Sequence, residues 1–143
     1  MKIKKVVAAL CGGMMMVMSV APVMAADAKG DRPVAKKIVQ TAGRDALGDF
    51  APDFARYNDD ILFGEVWSKN DVLSLHDRSI VTISALVASG IIDSSLKYHI
   101  QTTKSNGVTK EEMAEIITQL GFYAGRPKAW AAFRMAKEVY ADK

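Results

Sequence analysis

Thr109-Lys110-Glu111-Glu112-Met113-Ala114-Glu115-Ile116-Ile117-Thr118-Gln119-Leu120 is the most legible stretch of the chain. Thr109 and Glu112 stand at capping-box spacing, in which a hydroxyl and a carboxylate satisfy each other's backbone N–H groups at a helix start. Met113, Ile116, Ile117 and Leu120 follow at i, i+3, i+4 and i+7, the period of a helix with one buried face.

Reading outward from this helix, the same period continues. Downstream, Gly125-Arg126-Pro127 is a sharp break, and Pro127 suits the first position of a last helix on which Trp130, Phe133, Ala136, Lys137 and Tyr140 share a face. Upstream, Asn106-Gly107 is a glycine stop. It ends a helix capped by Asp93, Ser94 or Ser95, with Leu96, His99, Ile100 and Thr103 on one face. Ser74 and Asp77 form a capping pair, Asp replacing the usual Glu. The run Ile80 to Ala88 behind them has a β-branched start but continues from the cap to Gly90, too long for an ordinary strand. It reads as a helix buried on most sides.

The N-terminal half is less regular. Phe50, Phe54, Tyr57, Ile61 and Leu62 recur at helical spacings, and Leu62–Trp67 is apolar with Glu65 inside it. Pro33 can open a helix carrying a weak stripe of Val34, Ile38 and Ala42, interrupted by Gly43 and Gly48. No turn dipeptide lies between two strand-like runs, so the chain is expected to be all-α. Several helices are apolar on more than one side, which points to burial by a partner subunit.

The 143 residues suit one compact domain. Half are apolar and 24% are charged, which excludes a disordered chain and a multi-span membrane protein. The net charge of +3 is localised: Lys2, Lys4 and Lys5 lie in residues 1–25 without an acid, leaving 16 bases against 16 acids. A broad phosphate-binding face is not expected, nor a nucleic-acid partner. Those first residues read as an export signal: a basic start, an apolar run from Val6 to about Val20, and Val23-Met24-Ala25 before a cleavage point after Ala25 or Ala26. The expected layout is a signal peptide over 1–25, a lead and short helix over 26–44, and the main domain over 45–143. The cleaved product would be periplasmic or secreted, with no stable membrane anchor. Cys11, the only cysteine, falls in the signal, so the remainder has no disulfide, thiolate metal site or sulfur nucleophile.

Candidate chemistry rests on a few side chains. Glu65, in apolar company, could be an acid or base; it could equally be a helix-end carboxylate with a basic partner. Arg78 could clamp a carboxylate bidentately or form an interhelix ion pair. His99 points inward from its stripe and could move a proton near neutral pH, or simply fill the core. Tyr123 precedes the Gly125 turn, where a ligand or another backbone could come close. Trp67 and Trp130 are packing aromatics either of which could wall a pocket. His76 sits in an exposed capping turn and receives no role. The two histidines lack metal-ligand spacing, so no metal is expected. No phosphate loop, nucleophile elbow or dinucleotide fingerprint occurs.

Three segments together resemble the carboxymuconolactone decarboxylase family: Gly64-Glu65-Val66-Trp67-Ser68 before Leu75–Thr82, Leu96-Lys97-Tyr98-His99-Ile100 before Asn106–Glu112, and Tyr123-Ala124-Gly125-Arg126-Pro127-Lys128-Ala129. The likeness spans about residues 45–141. It implies a helical bundle like that of alkylhydroperoxidase D, assembled as a homotrimer or homohexamer. The peroxidase branch of that fold carries a Cys-x-x-Cys pair before its histidine; Ile92 and Ser95 occupy those places here, so disulfide-based peroxide reduction is not expected. The decarboxylase branch needs no cofactor and acts on an unsaturated lactone bearing carboxylates. By this resemblance Arg78 would hold a carboxylate, His99 would donate a proton or stabilise an enolate, and Glu65 would tune or relay it. Trp67, Tyr123 and Arg126 would contact substrate. Arg126 departs from the tryptophan or other apolar residue usual in the family's Ala-Gly-x-Pro turn. The alternative is a non-catalytic, oligomeric small-acid binding protein of the same fold.

Overall fold

The computed structural model describes residues 33–141, and all structural statements refer to them; the expected signal peptide and Cys11 lie outside. The order is α1 (Ala42–Leu47), α2 (Pro52–Arg56), a π-helical segment (Tyr57–Trp67) continuous with α2, α3 (Leu75–Ser89), α4 (Ser94–Ser105), α5 (Lys110–Tyr123) and α6 (Arg126–Val139). The described residues contain no strand, so the all-α expectation holds.

Helix ends follow the chemistry of their sequences. The Ser74 hydroxyl accepts from Asp77 N–H, the Asp93 carboxylate accepts from Ser95 N–H, and Thr109 with Glu112 completes the capping box. Gly90 closes α3 in the left-handed region at φ 79°, a conformation costly for any residue with a Cβ. At the last break Arg126, not Pro127, is the first residue of α6; the proline takes the second place, which also lacks an intrahelical acceptor for its N–H.

Helices α3 to α6 make the bundle. Ile83 and Val87 from α3, Leu96 and Ile100 from α4, Met113 and Ile117 from α5, and Ala132 from α6 are essentially sealed from solvent. Tyr140 closes one end, its hydroxyl donating to the Val108 carbonyl at 2.8 Å. The expected α6 face needs correction. Its buried stripe is Ala129, Ala132, Ala136 and Tyr140, whereas Trp130 is 64% exposed. The alanines bring α6 close to its neighbours and leave no room for the indole. The α3 reading also needs adjustment: it is a helix, but Val81 is 59% exposed and one side is open.

The segment before α3 is a separate arm of the same body. Helices α1, α2 and the π-helical segment pack chiefly on one another and contribute nothing to the bundle core. Asp59 organises this arm. Its carboxylate is buried and accepts from Gly43 N–H at 2.8 Å, Arg44 N–H at 3.0 Å and the Asn58 side chain. Arg44 also reaches Asp59 and Asp60 with its guanidinium. Burial pushes the Asp59 carboxyl upward, but these donors and the Arg44 charge hold it below the usual carboxylate range.

Gly43 is required by this approach: a Cβ there would lie 2.7 Å from Asp59 Oδ1 and 2.9 Å from the Ala55 carbonyl. Gly43→Ala gains helix propensity of about 1 kcal/mol, but overpacking costs about 1–3 kcal/mol. The expected outcome is faster amide exchange at residues 42–48, with little change in α4 and α5.

Residues 33–41 correct another expectation. No helix begins at Pro33. Instead the segment is an extended strap whose backbone groups are satisfied by side chains following the π-helical segment. Lys36 N–H donates to Asn70 Oδ1, Asn70 Nδ2 donates to the Lys36 carbonyl at 2.7 Å, and Ile38 N–H donates to Ser68 Oγ at 2.8 Å. A weak stripe with Val34 88% exposed offers a helix little burial to offset its nucleation cost.

Candidate functional site

Arg78 and His99 lie on α3 and α4, which pack directly against each other. Arg78 is partly buried. Its Nη2 donates to the Lys69 carbonyl at 3.0 Å, tying α3 to the end of the arm, while its Nε is buried without a hydrogen-bond partner. A guanidinium anchored at one edge can present its remaining N–H groups to a carboxylate.

His99 occupies the flank of the α4 stripe, as its place beside Leu96 and Ile100 requires. Its ring is half-buried and meets the Tyr98 ring edge to face at 5.4 Å. Burial lowers the imidazole from its ordinary value, and no neighbouring charge opposes that shift. The ring is therefore neutral at pH 7, with one nitrogen able to donate and the other to accept.

The other expected residues stand elsewhere. Glu65 is exposed on the π-helical segment and lines a recess of about 330 Å³ with Lys37, Gln40, Asp59 and Asp60. Trp67 is half-buried, 5.9 Å from Phe63. Tyr123 ends α5 and is 85% exposed. Arg126 opens α6 and lines a furrow between α5 and α6, of about 320 Å³, with Ile117, Gly121, Phe122 and Trp130. The structure thus brings Arg78 and His99 onto adjoining helices and leaves Glu65 with Trp67 on the arm and Tyr123 with Arg126 at the α5–α6 corner. Among the described residues no group of three or more His, Cys, Asp or Glu side chains is placed to hold a metal ion. No helix there is long and apolar enough to cross a membrane.

The profile of the carboxymuconolactone decarboxylase family matches residues 52–138. A protein of Acinetobacter baylyi named 4-carboxymuconolactone decarboxylase is 44% identical over 96 residues, covering 67% of this chain and 70% of that protein. The chain belongs to the carboxymuconolactone decarboxylase family. A 15.0 kDa protein of Paracoccus denitrificans, named as uncharacterized and encoded between nqo9 and nqo10, is 29% identical over 82 residues, covering 57% of this chain and 60% of that protein. The family match runs from α2 to the end of α6 and includes all six residues singled out above.

Sequence reasoning missed His76. Its Nδ1 pairs with Asp77 at 2.9 Å, and its Nε2 reaches Glu112 at 3.4 Å, joining the first turns of α3 and α5. The hydrogen bond to Asp77 raises the imidazole above its usual range; burial opposes that rise, and the hydrogen bond to Glu112 adds to it. A base raised on folding stabilises fully below its unfolded value near 6.5 and loses that contribution as pH rises through the folded value. His99 is neutral in folded and unfolded chains above pH 7, so it does not contribute to the slope there. Above pH 7 the melting temperature is expected to fall by about 1–2 °C up to pH 8.5, and His76→Gln should flatten that slope. The capping positions of Asp77 and Glu112 were visible in sequence; their convergence on one imidazole depends on how α3 and α5 pack.

Proposed function

We propose that this family member is a cofactor-free decarboxylase, or related lyase or isomerase, of a small unsaturated lactone carrying carboxylates. The observation that carries the reading is the 44% identity to a protein named 4-carboxymuconolactone decarboxylase, across most of both chains. Arg78 and His99, on the packed helices α3 and α4, would supply the chemistry.

Arg78 binds the carboxylate that the substrate keeps. As carbon dioxide leaves, the electron pair of the breaking C–C bond moves through the ring double bond onto the lactone carbonyl oxygen. The neutral His99 ring donates a hydrogen bond to this dienolate oxygen, which an imidazolium would overprotonate. A proton then returns to carbon, restoring the carbonyl and yielding the decarboxylated lactone. In this scheme Glu65 tunes or relays the proton from the arm, and Trp67, Tyr123 and Arg126 contact substrate or shape its approach. Ile92 and Ser95 stand where a peroxidase of this fold would carry thiols, so peroxide reduction is disfavoured. Export to the periplasm or medium is part of the proposal, supported by the basic start and apolar run of residues 1–25.

The position of Glu65 on the arm rather than on α3 or α4 favours one second reading, a binding protein for small organic acids that performs no chemistry. Incubation with a panel of carboxylated lactones separates the two. The proposal expects stoichiometric carbon dioxide release from at least one; ligand-induced stabilisation without release from any would support the binding protein.

A further inference from the structure

Asn106 has a task that the helix stop does not explain. The turn after α4 needs a residue in the left-handed region, and Gly107 supplies it at φ 93°. Asn106 itself keeps an ordinary φ of −86°, which any residue can adopt. Its side chain leaves the turn instead: Nδ2 donates to Ser79 Oγ on α3 at 2.9 Å. Ser79 is 1% exposed, and its hydroxyl proton is committed to the Leu75 carbonyl at 2.8 Å. The remaining lone pairs of so sealed an oxygen need a donor, and the Asn106 amide supplies one.

The bond sits where it can set geometry. Helices α3 and α4 bring Ile83, Val87, Leu96 and Ile100 into one apolar core. Apolar contact is non-directional, whereas a buried hydrogen bond prescribes a length and an angle and so specifies one arrangement. Ser79 directly follows Arg78 on α3. Asn106 stands seven residues beyond His99, close to two helical turns, so the bond and the imidazole lie on one side of α4.

We infer that Asn106 is a positioning residue. Through Ser79 it fixes how α3 lies against α4 and, in the reaction proposed above, on which this role rests, sets how Arg78 stands to His99 across the bound lactone. Loss of the bond leaves Arg78 its grip on the carboxylate, because the guanidinium is anchored separately to the Lys69 carbonyl. What changes is the alignment of the lactone carbonyl with the imidazole, and a misplacement of about 1 Å can cost roughly 10²-fold in rate.

A double-mutant cycle read by lactone turnover tests this. Asn106→Ala, Ser79→Ala and the double variant are compared with Ile117→Val, a core truncation that controls for lost stability. Cooperative melting confirms that each is folded, and each is assayed well below its melting temperature. Both single variants should lose about 10–100-fold in kcat, with KM within about twofold of the wild type. The double variant should lose no more than either single one, because the same bond is removed only once. Ile117→Val should keep the wild-type kcat. An unchanged kcat in Asn106→Ala, losses that multiply in the double variant, or an equal loss in Ile117→Val would each overturn the positioning role and leave the decarboxylase reading standing. A wild type that releases no carbon dioxide from any lactone would overturn both.

Discussion

His99→Ala is expected to lower kcat/KM for a carboxylated lactone by about 10²–10⁴-fold, the usual range for loss of a positioned acid–base group, without unfolding the bundle. The ring is half-buried and flanks the fully buried Leu96 and Ile100, so its removal trims an edge rather than opening the core. The pH profile separates chemistry from packing. Burial lowers the imidazole below 6.5, and in the proposed mechanism the neutral ring is the active form. The wild-type rate should hold from pH 8 to below 6.5 and fall as pH drops through the lowered value. His99→Gln, which keeps an amide donor and similar bulk, should recover part of the rate and lose that acid limb. Rates unchanged in both variants, measured by lactone consumption, would remove His99 from the reaction.

The second large effect concerns stability. Ile117 is fully buried where α5 crosses the centre of the bundle core. Ile117→Ala removes three heavy atoms from a site walled by residues of other helices, costing about 2–5 kcal/mol in transfer and cavity terms. For a domain of this size that lowers the melting temperature by roughly 10–20 °C. The loss should appear as one cooperative transition for α3 to α6. Exchange protection around Gly43 and Asp59 should be less affected, because the arm is held by its own hydrogen bonds. Equal loss of protection in arm and bundle would show them to be a single cooperative unit.

The bundle was legible because its signals are local. A hydroxyl three residues before a carboxylate, apolar residues at i, i+3, i+4 and i+7, and glycines at 90 and 107 each specify a helix or its end from neighbouring residues alone. The same period located His99 next to the buried stripe, but the ring sits half-buried on its flank rather than pointing inward. The arm was not legible, for two physical reasons. A π-helical turn bonds i to i+5, and no residue pattern over 57–67 announces that change of bonding. The strap over residues 33–41 is held by Ser68 and Asn70, some 30 positions away, and no local pattern announces that. Trp130 was misplaced because a large apolar residue on the expected stripe was assumed to be inside, whereas α6 packs through alanines. The site shows the same division. Arg78, His99 and Glu65 were each chosen by residue type and company; which helix would stand beside which depends on packing, and the first two lie on α3 and α4 while Glu65 lies on the arm.

The proposed reaction delivers a solvent-derived proton to carbon as carbon dioxide leaves, with no thiol, metal or organic cofactor added. The most direct measurement is turnover of a carboxylated unsaturated lactone in deuterated buffer containing a chelator and a thiol-blocking reagent, with the product followed by NMR and the released gas quantified. One carbon dioxide and one carbon-bound deuterium per lactone consumed are expected, at a rate that collapses in His99→Ala. Binding of the lactone without gas release, or release that stops when chelator or thiol blocker is added, would contradict the proposed reaction.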